Sequence, residues 1–149
     1  MLKVVLDANI FISAVLKPHS DLAKIFELVR EGKIRLILSN DILSEIRAVL
    51  LYPKIKQRHR RSAKEIEEFL QKTIPVSIIV PGKMKVQTIK DDPADTKYLV
   101  AGAEAKADFI ISGDRHLKDL KMFEGIRILD PSTFLDLVEK TSEHHERLD

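Results

Sequence analysis

Short apolar runs alternate with longer amphipathic segments along most of this 149-residue chain, and this alternation constrains the fold more than any other feature. The apolar runs are mostly aliphatic or β-branched, and they cover residues 4–6, 34–38, 76–80, 109–111 and 126–129. Runs without polar alternation are typical of strands that are buried on both faces of a parallel sheet. Their alternation with helical segments predicts crossover units on such a sheet.

The intervening segments repeat apolar residues at helical spacing, over residues 22–29, 42–50, 66–70 and 99–103. Ser62 followed by Glu65 is a capping-box pattern and predicts a helix that begins after Ser62. Pro131 suits the first turn of a last helix. We therefore expect one domain over residues 1–140, followed by a polar, frayed tail over residues 141–149.

The composition excludes several classes of protein. A hydrophobic share of 44% with 32% charged residues is ordinary for a folded domain. The absence of cysteine removes disulfide scaffolds, thiolate zinc sites and cysteine nucleophiles. The net charge is only +2, so bulk charge does not identify a nucleic-acid binder. The first apolar run ends at Asp7 and is too short for a signal peptide or a membrane span. We therefore expect a cytoplasmic protein that does not associate with a membrane.

Two aspartates follow predicted strands directly. Asp7 ends the first apolar run, and Asp114 follows the fourth run after the short turn of Ser112 and Gly113. In an open parallel sheet the ligand crevice lies outside the carboxyl ends of the strands, which is where both acids are expected. Aspartate is also a good helix N-cap, so either residue taken alone has a purely structural explanation.

Two further acids lie on predicted helices. Glu45 borders the apolar stripe that contains Ile42 and Ile46, so its side chain is expected beside the buried face. Asp95 lies four residues before Leu99 on one helical face and is expected to point toward the sheet. An acid in the first turn also stabilises the helix dipole, so Asp95 has a structural explanation as well.

If these four acids converge, their charges need compensation. Two unit charges about 4 Å apart repel by roughly 1 kcal/mol in water and by about 4 kcal/mol at an effective dielectric constant near 20. Either some of the acids hold protons or hard cations lie among them, and oxygen ligands suit Mg²⁺ or Mn²⁺ better than zinc. Such clusters most often serve phosphoryl transfer or phosphodiester hydrolysis.

The densest basic run in the chain covers residues 54–64 and contains no acid. Its charged residues are Lys54, Lys56, Arg58, Arg60, Arg61 and Lys64. This run could contact a phosphate backbone or a protein partner, or it could be a solvated connection between helices. Aromatic residues make up only 5% of the chain, so recognition by base stacking is not supported.

Several familiar motifs are missing. The five glycines are too scattered for a dinucleotide-binding or phosphate-cradling loop, and no Gly-x-Ser-x-Gly elbow occurs. His116 follows Asp114 closely, but the other histidines provide no metal-ligand spacing with it, which favours a surface histidine.

Four segments, in this order, resemble the PIN-domain nucleases and in particular the VapC-like toxin branch of prokaryotic toxin–antitoxin systems. They cover residues 4–11, 38–46, 92–98 and 107–117, and the resemblance extends over about residues 2–137. It implies a three-layer α/β/α sandwich with a central parallel sheet of about five strands. It further implies a metal-dependent endoribonuclease that acts on RNA with Mg²⁺ or Mn²⁺, forms a homodimer and is covered by a small antitoxin.

The resemblance also assigns roles to matched positions. The metal-binding acids would be Asp7, Glu45, Asp95 and Asp114. Asn9 and Ser112 would be polar supports, and Asp92 an accessory acid. Many relatives have a second acid two residues after the one that corresponds to Asp114, whereas this chain has His116. The number of metal ions therefore stays open.

Three other functions remain possible at this point. A phosphatase of the haloacid-dehalogenase type would use Asp7 as a nucleophile, but it expects an acid where this chain has Asn9. A phosphate-accepting receiver expects two adjacent acids near the first strand, and Leu6 precedes Asp7 here. A PIN-like module that binds RNA or protein without cutting is the third alternative.

Overall fold

A mostly parallel β-sheet occupies the centre of the fold in the computed structural model, which describes the backbone of residues 1–17, 19–85 and 93–148. Within these residues the strands are β1 (Leu2–Leu6), β2 (Ile34–Ser39), β3 (Ser77–Val80), β4 (Phe109–Ile111), β5 (Met122–Phe123) and β6 (Ile126–Leu129). Their hydrogen-bonded order is β3-β2-β1-β4-β6-β5, and only β5 is antiparallel to its neighbour.

The helices connect the strands and cover the sheet. They are α1 (Ala8–Leu16), α2 (Asp21–Arg30), α3 (Asn40–Leu50), α4 (Pro53–His59), α5 (Ala63–Thr73), α6 (Pro93–Ala105), α7 (Arg115–Leu120) and α8 (Pro131–Leu148). Val4, Val5 and Leu6 of the central strand are all fully buried. Because successive strand residues point to opposite faces, helices must cover both faces of the sheet. The predicted α/β/α sandwich is therefore confirmed.

The structure also differs from the sequence prediction at several elements. The short strand β5 was not predicted, and neither were α1, α4 and α7 as separate helices. Val76 belongs to a short 3-10 helix, Ile74–Val76, and the third strand begins only at Ser77. The helix α8 continues to Leu148, so its backbone includes residues 141–148 of the predicted polar tail. None of the described helices is both long and apolar enough to cross a bilayer.

The helix α6 lies close to the sheet because of a glycine. A Cβ atom at Gly102 would lie 3.2 Å from Cδ1 of Ile110 and 3.3 Å from Cδ1 of Ile126, tighter than ordinary contact. The helix precedes β4 and therefore runs against the strand direction, which places its first turn at the carboxyl edge of the sheet. Asp95 lies in that first turn, seven residues before Gly102.

Candidate active site

Asp7 lies at the junction of β1 and α1 and is 3% exposed. Its Oδ1 atom accepts a 3.1 Å hydrogen bond from the backbone N–H of Ile10, which makes Asp7 the N-cap of α1. Its Oδ2 atom accepts a hydrogen bond from the hydroxyl group of Ser112. β1 and β4 are neighbours with Leu6 paired to Ile111, so the residues that follow them meet at the carboxyl edge. Asp7 is therefore a structural cap and a component of the site at the same time.

Burial dominates the electrostatics of Asp7. It raises the pKa of the carboxyl group above its ordinary value, because the low-dielectric surroundings penalise the charged form. Hydrogen bonds from Ser112, Ile10 and Gly113 lower this pKa, and the negative charge of Asp114 raises it again. A buried carboxylate beside a second acid is stabilised by any cation that reaches both.

Ser112 fixes the loop that carries Asp114. Its side chain is fully buried, and its Oγ atom accepts a 2.8 Å hydrogen bond from the backbone N–H of Asp114 while donating to Asp7. Asp114 in turn caps α7, because its Oδ1 atom accepts a 2.7 Å hydrogen bond from the backbone N–H of His116. His116 itself is exposed, as the sequence predicted. The serine hydroxyl thus sets the relative position of the two aspartates.

Tyr98 brings Glu45 to the same edge. Its hydroxyl oxygen accepts a 3.0 Å hydrogen bond from the backbone N–H of Ala8 and donates a 3.0 Å hydrogen bond to Oε2 of Glu45. Burial raises the pKa of Tyr98 far above its ordinary value, and the negative charge of Glu45 adds to the shift. The hydroxyl group therefore remains a proton donor at any physiological pH, and it holds Glu45 beside the residue that follows Asp7.

Lys97 forms an ion pair with the same Glu45 oxygen, and its Nζ atom lies 5.6 Å from the centroid of the Tyr98 ring. The two charged side chains are only partly exposed, at 20% for Lys97 and 32% for Glu45. An ion pair that is partly removed from water is screened less by salt than one on the open surface. A cation is thus already present at one of the expected metal ligands.

The structure brings most of the expected site residues to one edge of the sheet. Asp7 and Asp114 are linked through Ser112, and Glu45 is linked through Tyr98 to the backbone that follows Asp7. Asp95 is half-buried in the first turn of α6, whereas Asn9 is exposed on α1. Asp92, the expected accessory acid, lies outside the described residues.

The donor set fits a hard divalent cation by its chemistry. All the donors are carboxylate or hydroxyl oxygens, the buried carboxylate of Asp7 is repelled by Asp114, and Glu45 already attracts an ammonium group. Across the residues that the structure describes, no three His, Asp or Glu side chains are gathered into a preformed metal cage.

Tyr98 and Lys97 are the two site residues that the sequence interpretation missed. Both follow Asp95 within one helical turn, and Tyr98 lies three residues after it on a neighbouring part of the same helix face. Tyrosine is also rare here, with two residues in the chain, and a hydroxyl group within a buried helix face requires a partner. The need for such a partner is the feature by which the sequence could have indicated Tyr98.

The basic run occupies α4 and the connection to α5. Lys54, Lys56, Arg58, Arg60 and Lys64 are exposed, and Arg61 is half-buried. The ring of His59 fastens this segment to α3, because Nε2 lies 2.8 Å from the carbonyl oxygen of Leu50 and Nδ1 accepts a 2.8 Å hydrogen bond from the backbone N–H of Arg61. α3 is the helix that carries Glu45, and an open groove along the segment is lined in part by Lys56, Arg60 and Arg61.

The fold is an α/β/α sandwich with acidic side chains at the carboxyl edge of its sheet. A family model described as the PIN domain matches residues 3–116, and the chain therefore belongs to the PIN-domain family. Proteins of this family are nucleases and generally use divalent metal ions.

Two relatives illustrate how far the similarity reaches. An uncharacterized protein of Methanocaldococcus jannaschii, MJ1680, is 34% identical over 120 residues, which cover 80% of this chain and 76% of that protein. The crystal structure of VapBC2 from Rickettsia felis, bound to a DNA fragment from its promoter, contains a similar fold with a TM-score of 0.55. That alignment has 13% sequence identity and covers 85% of this chain and 97% of the other, and it shows the fold alone.

Proposed function

We propose that this protein is a metal-dependent endoribonuclease that hydrolyses phosphodiester bonds in RNA. The observation that carries the proposal is the buried carboxyl group of Asp7, held by Ser112 beside Asp114 at the carboxyl edge of a PIN-domain sheet. We assign Mg²⁺ or Mn²⁺ to Asp7, Glu45, Asp95 and Asp114, with Asn9 and Ser112 as polar supports and Asp92 as an accessory acid.

In this proposal the chain's own side chains orient the carboxylates. Ser112 holds one oxygen of Asp7 and the backbone of Asp114, and Tyr98 holds one oxygen of Glu45. The hydrogen bond from Ser112 also favours the ionised form of Asp7 against the effect of burial. A divalent ion held there would activate water and neutralise charge on the phosphate and the leaving oxygen.

The basic segment of residues 54–64 is proposed as the surface that follows the RNA backbone. Its exposed cations lie on α4, in the connection to α5 and at the start of α5, and the first of them, Lys54, is nine residues beyond Glu45 of α3. Cations in a row on a phosphodiester-cleaving protein would bind the phosphate backbone of the substrate and release counterions on binding.

The family and the fold similarity to VapBC2 support a toxin of a toxin–antitoxin pair. The proposal therefore includes a homodimer in the cytoplasm and a small antitoxin that covers the acidic site. Purification of the protein with the product of an adjacent small gene, followed by RNA cleavage with and without that product, tests this part. Full cleavage in the presence of a bound partner would contradict the antitoxin role.

The catalytic proposal is tested with single-stranded RNA, Mn²⁺ and the variants Asp7→Asn and Asp114→Asn. We expect cleavage by the wild type, loss of cleavage with EDTA, and a fall of at least about 100-fold in each variant. Asp108→Asn is the matched control. The side chain of Asp108 also accepts a hydrogen bond from the backbone, from the N–H of Lys3 at 2.8 Å, but Asp108 precedes β4 and so lies at the opposite edge of the sheet. Equal cleavage by the wild type and both site variants would refute the proposal.

Two sequence features disfavour a phosphatase or receiver that uses Asp7 as the phosphate acceptor. The phosphatase type expects an acid where this chain has Asn9, and a receiver expects an acid directly before Asp7, where this chain has Leu6. Incubation with acetyl phosphate separates these functions, because a phospho-aspartate would appear only in the rival classes. RNA binding without turnover would instead indicate a PIN-like binding module.

A further inference from the structure

One carboxylate oxygen at the site is shared by two donors from adjacent residues. Oε2 of Glu45 accepts the hydrogen bond from the Tyr98 hydroxyl and also forms the ion pair with Lys97. Tyr98 is 3% exposed and also binds the backbone of α1, so it is fixed from two sides. Lys97 is the outer of the two donors and is partly exposed.

The two donors differ in how easily they leave Glu45. Lysine carries a point charge on a flexible four-carbon stem, and its Nζ atom lies near the face of the Tyr98 ring, where a cation is also attracted. A buried tyrosine hydroxyl has no such freedom, because leaving Glu45 would leave its proton without a partner. The ammonium group is therefore the donor that a competing cation would replace.

We propose that Lys97 is a positioning residue that holds Glu45 in place in the metal-free protein, and that a divalent cation must displace its ammonium group from Oε2 of Glu45. This inference rests on the proposed function in one respect, namely that Glu45 is a metal ligand. Lys97 keeps the carboxylate directed toward the site edge before the metal arrives. The exchange lowers the apparent metal affinity, because the ion pair has to break first.

The test measures Mn²⁺ binding to the full chain by electron paramagnetic resonance and by calorimetry, without substrate. Lys97→Met removes the charge and retains the apolar stem, and we expect it to bind Mn²⁺ about three- to tenfold more tightly than the wild type. Lys97→Arg restores a cation, and its affinity should return to within about twofold of the wild-type value. Loss of packing alone would lower the Mn²⁺ affinity. A higher affinity in Lys97→Met therefore distinguishes the proposed role from a purely structural one.

Lys33→Met is the matched control. Lys33 forms an ion pair with Glu31 at 3.1 Å, but it precedes β2 and so lies at the opposite edge of the sheet. It should leave Mn²⁺ affinity within about twofold of the wild type, since distant exposed charges are screened. Equal tightening in Lys33→Met and Lys97→Met would show an effect of net charge and would overturn the inference.

Glu45→Gln separates the inference from the proposed function. If the wild type binds no Mn²⁺, or Glu45→Gln binds it as tightly as the wild type, the assignment of Glu45 as a ligand fails. If Glu45→Gln weakens binding but Lys97→Met binds like the wild type or more weakly, only the role of Lys97 fails. In the Glu45→Gln background, Lys97→Met should change the affinity by less than about twofold, and a larger tightening would contradict displacement from Glu45.

Discussion

The hydroxyl group of Tyr98 donates a 3.0 Å hydrogen bond to Glu45, across 53 positions of sequence. The hydroxyl oxygen of Tyr98 also accepts a hydrogen bond from the backbone N–H of Ala8. A single side chain of α6 therefore joins α3 to the first turn of α1. A hydroxyl group with a donor on one side and an acceptor on the other has one favourable orientation. This contact decides where the carboxylate of Glu45 lies relative to Asp7.

Replacement of Tyr98 by phenylalanine should destabilise the metal-free protein by about 1–2 kcal/mol, because the N–H of Ala8 and the carboxylate of Glu45 lose a buried partner. Urea unfolding measures the change. Tyr52→Phe is the control, since Tyr52 is 57% exposed and its replacement should cost less than about 0.5 kcal/mol. Equal stability of the two variants would contradict the buried role of the Tyr98 hydroxyl.

Asp7→Asn should make the metal-free protein more stable at neutral pH. The folded state raises the pKa of Asp7, so the stability that its protonated form contributes is complete below about 3.8 and is lost as the pH rises through the folded-state pKa. Asparagine does not ionise and avoids this loss. We expect the variant to melt roughly 2–4 °C above the wild type at pH 7.5 in EDTA, which corresponds to about 1 kcal/mol.

The pH dependence provides the control for Asp7→Asn. The difference in melting temperature should shrink as the pH falls toward 4, where the carboxyl group of the wild type also becomes protonated. An Asp7→Asn variant that melts below the wild type at every pH would show that the carboxylate stabilises the fold, contrary to the direction of its pKa shift.

Ser112→Ala should reduce RNA cleavage about 10- to 100-fold, because it removes the group that orients two proposed metal ligands. Loss of the hydrogen bond that lowers the pKa of Asp7 should also move the acidic limb of the pH–rate profile to higher pH. The control is Ser44→Ala on the exposed side of α3, with cleavage unchanged. An unchanged rate and pH profile in Ser112→Ala would remove Ser112 from the site.

Neutralising two cations of the basic segment should lower the affinity for RNA. It should also make that affinity less dependent on the salt concentration. For Lys54→Gln with Lys64→Gln, we expect the slope of log K against log salt to fall by about 0.7 for each phosphate contact that is lost. Lys24→Gln with Lys33→Gln removes the same charge from two surface ion pairs elsewhere. If both double variants give the same slope, the segment is a solvated connection between helices.

The elements that the sequence did not predict have identifiable physical reasons. The helix α1 is buried at every position from Ala8 to Phe11 except Asn9, so it lacks the polar face that periodicity detects. The strand β5 has two residues and exists because Glu124 and Gly125 both adopt positive φ, at 48° and 81°, in a tight hairpin turn. Glutamate rarely adopts positive φ, so the sequence does not predict this turn.

The sequence by itself determined the parallel sheet, the capping box at Ser62 and the position of Asp7 and Asp114 at strand ends, because each depends on local periodicity or on neighbouring residues. Only the tertiary structure decided that Ser112 joins those aspartates and that Tyr98 and Lys97 meet on Glu45. Helical spacing defines the face of α6 on which a side chain lies. Which residue that side chain contacts depends on how closely α6 packs on the sheet, and that distance is a property of the whole fold.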